Sequence, residues 1–273
     1  MTPLFSVLAD DDEFEEEYDE RPSASIALGL LATVPLLLCY EAAVGTAGSR
    51  SRNIAEVVLS APFTILAPHE HLLRVLLWMA VAVAAAVAAH RRLGHLGPPL
   101  MRVGVEGAIG ALVLGPALIL AASLFGTAAP ALPLNEWYPD RAPDLAAVGF
   151  LAGGGAYEEL VFRLGGFSLV FLVVRHLISF FGAPLVAARW VAEVAATVGS
   201  AVLFAAFHFE LATRWLGWRG DAFDAGRFFW YVLAGLLLCA LFRWRGLGVA
   251  AWTHGLFNAA MILGAGPGVL RGH

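Results

Sequence analysis

Lysine is absent from all 273 residues, charged side chains of every kind amount to 14%, and cysteine occurs only twice. Each shortage excludes something. With 59% hydrophobic residues and a mean hydropathy of +0.75, the chain has too little polar surface to cover a water-soluble globule of its size. It reads as an integral membrane protein. All 17 basic residues are arginines and the net charge is -5, so no nucleic-acid partner is expected. Cys39 and Cys239 each lie within an apolar segment, which argues against a disulfide framework or a cysteine-based metal site. The densest polar run, Asp10 to Glu20 (DDDEFEEEYDE), is expected to be a solvated acidic tail. An acidic start of this kind also speaks against a cleavable signal peptide.

What is there is mostly long apolar runs. A helix that crosses the hydrocarbon needs roughly 20 apolar residues. Windows of that kind, bounded by arginine, proline or polar clusters, are Ser25–Val44, Leu72–Ala89, Met101–Phe125, Leu145–Phe162, Phe167–Phe181, Val191–Phe209, Phe228–Phe242 and Leu247–Leu263. The expected fold is therefore all-α, a polytopic bundle of about eight transmembrane helices, each satisfying its own backbone. The fifth and seventh windows are short enough to tilt or stop early. Ile54–Leu66 is too short to span and is expected at the interface. No internal repeat suggests the paired halves of a transporter, and arginines outside the windows show no bias that would orient the chain.

An ionisable side chain at mid-bilayer costs roughly 2.5 to 10 kcal/mol, so each one needs a partner or a task. Glu106 follows Arg102 by four residues and Glu193 follows Arg189 by four, which predicts intrahelical ion pairs. Glu41, late in the first window, is expected to face the headgroups, with a place at the rim of a polar cavity as the alternative. His69 and His71 in PHEH stand two apart, diverge, and are expected to be structural. The stretch GGGAYEELVFRLGGF, Gly153 to Phe167, is harder to dismiss. Glu159 and Arg163 stand at i and i+4, in the favoured order for a pair. Glu158 projects about 100° away, has no such partner, and must face protein or trapped water. Gly153, Gly154 and Gly155 would let another segment approach closely. Further on, Phe204 and His208 lie one turn apart in FAAFHF, and His254 and Asn258 lie one turn apart in HGLFN. Glu158, Glu159, Arg163, His208, His254 and Asn258 most economically share one buried polar cavity.

EELVFR fits an EExxxR pattern, FAAFH fits FxxxH and HGLFN fits HxxxN, in that order with apolar spans between them. In this the chain resembles the CPBP family of intramembrane proteases, also called the Abi family, which includes the type II CAAX prenyl endopeptidases. The resemblance covers roughly Leu145 to Leu263. It implies that Glu158 activates a water with help from His208, that His254 and Asn258 stabilise the oxyanion, and that Glu159, Arg163 and Phe204 support the site. It implies a membrane-anchored or membrane-inserted peptide or protein substrate, whether CAAX-like, bacteriocin-related or a C-terminal sorting tail. The expected setting is a prokaryotic cell membrane.

The corresponding organisation is an acidic tail over 1–24, N-terminal transmembrane helices over 25–143, a catalytic helical core over 144–264 with the site between its helices, and a short tail over 265–273. A metal-free, glutamate-dependent reaction is expected. The alternative is zinc on Glu158, His208 and His254, a His/His/carboxylate set with an open position. Against it, HExxH is absent and using Glu158 as a ligand removes the most obvious base. An ion-coupled transporter using the same carboxylates as relays, and a non-catalytic scaffold, are the rival classes.

Overall fold

In hydrocarbon an apolar run has one local way to pair every N–H and C=O within itself, and that is the helix. The computed structural model describes residues 25–47, 52–66, 69–124, 145–217 and 220–264, and apart from one isolated bridge its regular elements are all helical. In chain order these are α1 (Ile26–Ala47), α2 (Ile54–Ser60, continued by a 3-10 stretch Ala61–Leu66), α3 (Glu70–Leu93), α4 (Gly97–Leu124), α5 (Leu145–Glu158), a π-helical segment (Glu159–Phe167), α6 (Ser168–Phe180), α7 (Leu185–Ala206), α8 (Glu210–Thr213), α9 (Ala225–Arg245) and α10 (Leu247–Gly264). The acidic run Asp10 to Glu20, the connection 126–143 and the tail 265–273 lie outside the described residues.

Among the described residues, six stretches are long and apolar enough to cross a membrane: Ile26–Thr46, Glu70–Leu93, Gly97–Ala121, Leu145–Phe180, Leu185–Ala206 and Ala225–Arg245. The chain is a multi-pass integral membrane protein. The expected all-α polytopic bundle is what the chain forms, with three of the eight windows placed differently from separate spans. The fourth and fifth windows are one 36-residue helical run, carried through Gly165 and Gly166 by the π segment. The last window, α10, falls short of spanning length and is instead enclosed by protein, packing against α1, α4, α5 and α9.

Large apolar side chains such as Leu112, Phe180 and Trp190 point outward, as they should where the solvent is lipid. Inside, small residues set the spacing. A Cβ at Gly107 or Gly110 of α4 would collide with Trp252 or Thr253 of α10, and one at Gly153 of α5 would collide with Tyr40 of α1. Trp252 Nε1 donates across the same packing to the Ala32 carbonyl of α1 at 2.7 Å.

Helix ends follow their own chemistry. Asn53 Oδ1 caps α2 by accepting from Ala55 N–H at 2.8 Å, and Asp224 caps α9 by accepting from Arg227 N–H at 2.7 Å. The α9 terminus carries Arg243 and Arg245 where the helix dipole favours cations, and stops at Gly246 with φ 86°.

Of the two predicted intrahelical pairs, Arg102 and Glu106 meet at 2.8 Å and are joined by Arg245 of α9, whose Nε is 2.8 Å from Glu106. Glu193 is engaged by Arg243, because α9 packs along α7 and delivers a second cation there. Glu41 does not face the headgroups. It is 1% exposed, held by Arg74 Nε at 3.0 Å, Arg74 Nη2 at 3.2 Å and the Tyr157 hydroxyl at 2.5 Å. A cation on the facing helix makes burial cheaper than its position along α1 suggests. Nor does α2 simply lie on the interface: Ile54, Ala55, Glu56 and Ser60 are buried, and the helix packs against α5.

Candidate active site

The site starts where the backbone changes pitch. α5 ends at Glu158 and the chain continues in π geometry from Glu159, a local widening that recurs at functional sites. The Phe162 carbonyl in this segment accepts from the Ser200 hydroxyl of α7 at 2.7 Å, which ties the π segment to its neighbour. Glu159 and Arg163, both 0% exposed, pair at 3.3 Å as their spacing predicts. What spacing did not show is that Glu159 also accepts from His254 Nδ1 at 2.9 Å. Glu158 Oε2 lies 3.5 Å from Nε2 of the same ring. Two adjacent glutamates thus bracket one imidazole delivered by α10.

A cavity of about 160 Å³ opens beside this arrangement, and Glu158, His208, His254 and Asn258 all line it. Its polar side adds Arg52, Asn53 and Asp221; its apolar side includes Phe150, Phe207, Trp230 and Phe257. His208 sits just beyond α7 with Nδ1 2.8 Å from the Phe204 carbonyl and its ring stacked on Tyr231 at 4.0 Å between centroids. Donation from Nδ1 to that carbonyl leaves Nε2 as the acceptor nitrogen. Burial holds the His208 pKa below its ordinary 6.5, against the opposing pull of Glu158, and so favours the neutral ring.

The loop after His208 is pinned, since Asp221 N–H donates to the His208 carbonyl at 3.0 Å and Glu210 N–H donates to the Asp221 carbonyl at 2.9 Å. Asn258 Nδ2 donates to the Leu151 carbonyl at 3.3 Å, which leaves the second hydrogen of that amide available. Phe204 packs at the centre of the group, 4.8 Å from the His208 ring, 5.7 Å from the His254 ring and 4.8 Å beneath the Arg163 guanidinium.

The three glycines each admit a different neighbour. A Cβ at Gly153 would strike the α1 backbone, with Leu36 O at 2.5 Å; one at Gly154 would lie 3.0 Å from Asn53 Nδ2; one at Gly155 would lie 3.1 Å from His254 Cγ and 3.2 Å from Asn258 Nδ2.

Sequence reasoning missed the contribution of the first helices. Asn53 Nδ2 donates to Glu158 Oε1 at 2.7 Å from 105 positions away, and no local spacing advertises it. Behind Asn53 stands a buried ionic network: Arg52 Nε donates to Glu56 at 2.7 Å and Arg52 also reaches Glu70, while Arg74 contacts Glu41, Glu56 and Glu70. His71 lies 2.9 Å from Glu41 and Glu70 serves both arginines, so the PHEH stretch supports this network.

The residues that a zinc ion would use, Glu158, His208 and His254, do not form a ligand cluster, and among the described residues no three His, Cys, Asp or Glu side chains are grouped to hold a metal ion. His254 Nδ1 is engaged by Glu159 and His208 Nδ1 by a carbonyl, so each ring has one nitrogen left to offer.

A carboxylate, two imidazoles and an amide thus line one polar cavity within the helical bundle, an arrangement with the acid, base and hydrogen-bond donors that hydrolysis requires. Residues 141–260 match the family described as type II CAAX prenyl endopeptidase Rce1-like, a span somewhat under half of the chain that includes all three motifs. This match supports the resemblance of that span to the CPBP (Abi) family, which includes the type II CAAX prenyl endopeptidases. No curated protein and no solved structure matches the chain.

Proposed function

We propose that this protein hydrolyses a peptide bond in a membrane-anchored or membrane-inserted protein or peptide of a prokaryotic cell membrane, without a metal. CAAX-like, bacteriocin-related and C-terminal sorting-tail substrates all fit this description. The observation that carries the reading is the convergence of Glu158, His208, His254 and Asn258, from α5, the end of α7 and α10, on one cavity with an apolar wall. Glu158 takes a proton from water as the oxygen bonds to the scissile carbonyl carbon, and His208 Nε2 accepts a hydrogen bond from the same water. The negative charge that develops on the carbonyl oxygen is met by an N–H of the His254 ring and by the second N–H of Asn258. Such donors typically supply around 3 kcal/mol each. The proton held by Glu158 then passes to the amide nitrogen as the C–N bond breaks, which returns the carboxylate. Glu159 and Arg163 hold the His254 ring in place, and Phe204 fills the space between the rings.

The test is cleavage of a panel of tail peptides by purified protein in detergent or vesicles. Glu158→Ala and His208→Ala should each lose roughly 100- to 10,000-fold in kcat, the usual range for a general base, with melting retained. Activity should survive chelators. Both variants cutting like the wild type would overturn the mechanism, and loss of activity on chelation restored by zinc would overturn the metal-free form.

A further inference from the structure

We propose that Asn53 is a positioning residue for Glu158, assigning one carboxylate oxygen to itself and leaving the other for water and His254. Asn53 lies outside the residues matched to the family, and the proposal rests on Glu158 being the base as read above. The geometry is unusually determined. Nδ2 donates to Glu158 Oε1 at 2.7 Å, Oδ1 accepts from Ala55 N–H at 2.8 Å, and the backbone N–H donates to the Tyr40 hydroxyl at 2.8 Å. The Ala55 contact fixes which end of the amide is oxygen, so the end that meets Glu158 is the donor.

Tyr40 itself donates to Glu56 at 3.5 Å, and the adjacent Arg52 is fastened to Glu56 and Ser60. The Asn53 side chain therefore cannot turn away without breaking the cap of α2, and its backbone is itself held by Tyr40. Gly154 supplies the opening, because a Cβ there would lie 3.0 Å from Nδ2. The result is that the two oxygens of Glu158 differ. Oε1 is taken by Asn53, while Oε2 lies 3.5 Å from His254 Nε2. A donated hydrogen bond also holds that oxygen in place, and charge-assisted bonds of this length are among the stronger ones.

Capping and positioning separate cleanly by substitution. Asn53→Asp keeps the N-cap, because Asp accepts as well as Asn, but it faces Glu158 with an acceptor. Asn53→Ser also keeps a cap, adds no charge and is too short to reach Glu158. If positioning is right, both variants lose roughly 10- to 100-fold in kcat with KM within about twofold of wild type, as expected for removing one bond to a charged group. Asn53→Ser should melt like the wild type. A wild-type kcat in both variants, or a loss carried by KM alone, overturns the proposal. A wild-type protein that cuts nothing removes the protease reading and this proposal with it. Cutting by wild type, Asn53→Asp and Asn53→Ser alike removes this proposal alone.

Discussion

Removing the Glu159 carboxylate should damage this protein more than removing any single surface charge. Glu159 and Arg163 are both fully buried, and Glu159 also accepts from His254. Arg163 has little else to fall back on: among the described residues its Nη1 reaches the Ser200 hydroxyl only at 3.5 Å, and Nε and Nη2 make no hydrogen bond of good geometry. Glu159→Ala therefore leaves a guanidinium in low dielectric without its counter-charge, which costs about 3 to 5 kcal/mol. Arg163→Met removes the cation while roughly keeping its volume, and leaves Glu159 with His254 alone. In Glu159→Ala/Arg163→Met neither charge remains, so the double variant should be more stable than the sum of the single losses by about 1 to 3 kcal/mol. Unfolding in mixed micelles, followed by tryptophan fluorescence and circular dichroism, measures all three. Additive losses, or a Glu159→Ala protein as stable as wild type, would refute the claim that this pair is held by mutual neutralisation in a dry interior. Cleavage adds a second readout. Glu159→Gln keeps an acceptor oxygen for His254 Nδ1–H, so it should retain more activity than Glu159→Ala.

Two further outcomes follow from the same geometry. Gly153→Ala drives a methyl into the backbone of α1, which outweighs the helix-propensity gain of about 1 kcal/mol, so melting should fall. Gly155→Ala meets His254 Cγ at 3.1 Å and Asn258 Nδ2 and the Gly255 backbone nitrogen at 3.2 Å, looser contacts than at Gly153, so melting should fall less than in Gly153→Ala while kcat drops. The reverse pattern would contradict the close packing described for α5. Because burial lowers the folded-state pKa of His208 below 6.5, the unfolded chain binds its proton first. Stability from this group is therefore complete above about pH 6.5 and is lost as pH falls toward the folded value. Wild type should lose more stability than His208→Phe over that acid interval, measured by melting at stepped pH, and equal slopes would refute the assignment.

How far the sequence could be read depended on whether an interaction was local. Apolar windows and the 3.6-residue period are properties of neighbouring residues, so the all-helical membrane fold was legible, and so were the Arg102–Glu106 and Glu159–Arg163 pairs at four-residue spacing. The three motifs marked Glu158, His208, His254 and Asn258 as belonging together. The fusion of two windows through the π segment was not legible, because no local spacing marks it or the bond from the Ser200 hydroxyl of α7 to the Phe162 carbonyl. Nor was the enclosure of α10, whose short apolar run looks like any other until α1, α4, α5 and α9 surround it.

Glu41 shows the same limit, since Arg74, its partner, lies 33 residues on and on a different helix. By itself the sequence determined that the chain must be helical and lipid-embedded, and which few polar groups it would have to shelter. Only the tertiary structure decided how those groups are paired: His254 between two glutamates, Asn53 on Glu158, Arg74 on Glu41. The physical reason is that a contact across helices is set by their mutual rotation and depth, and these are fixed by packing over the whole bundle, with Gly153, Gly154 and Gly155 setting how closely each neighbour approaches α5.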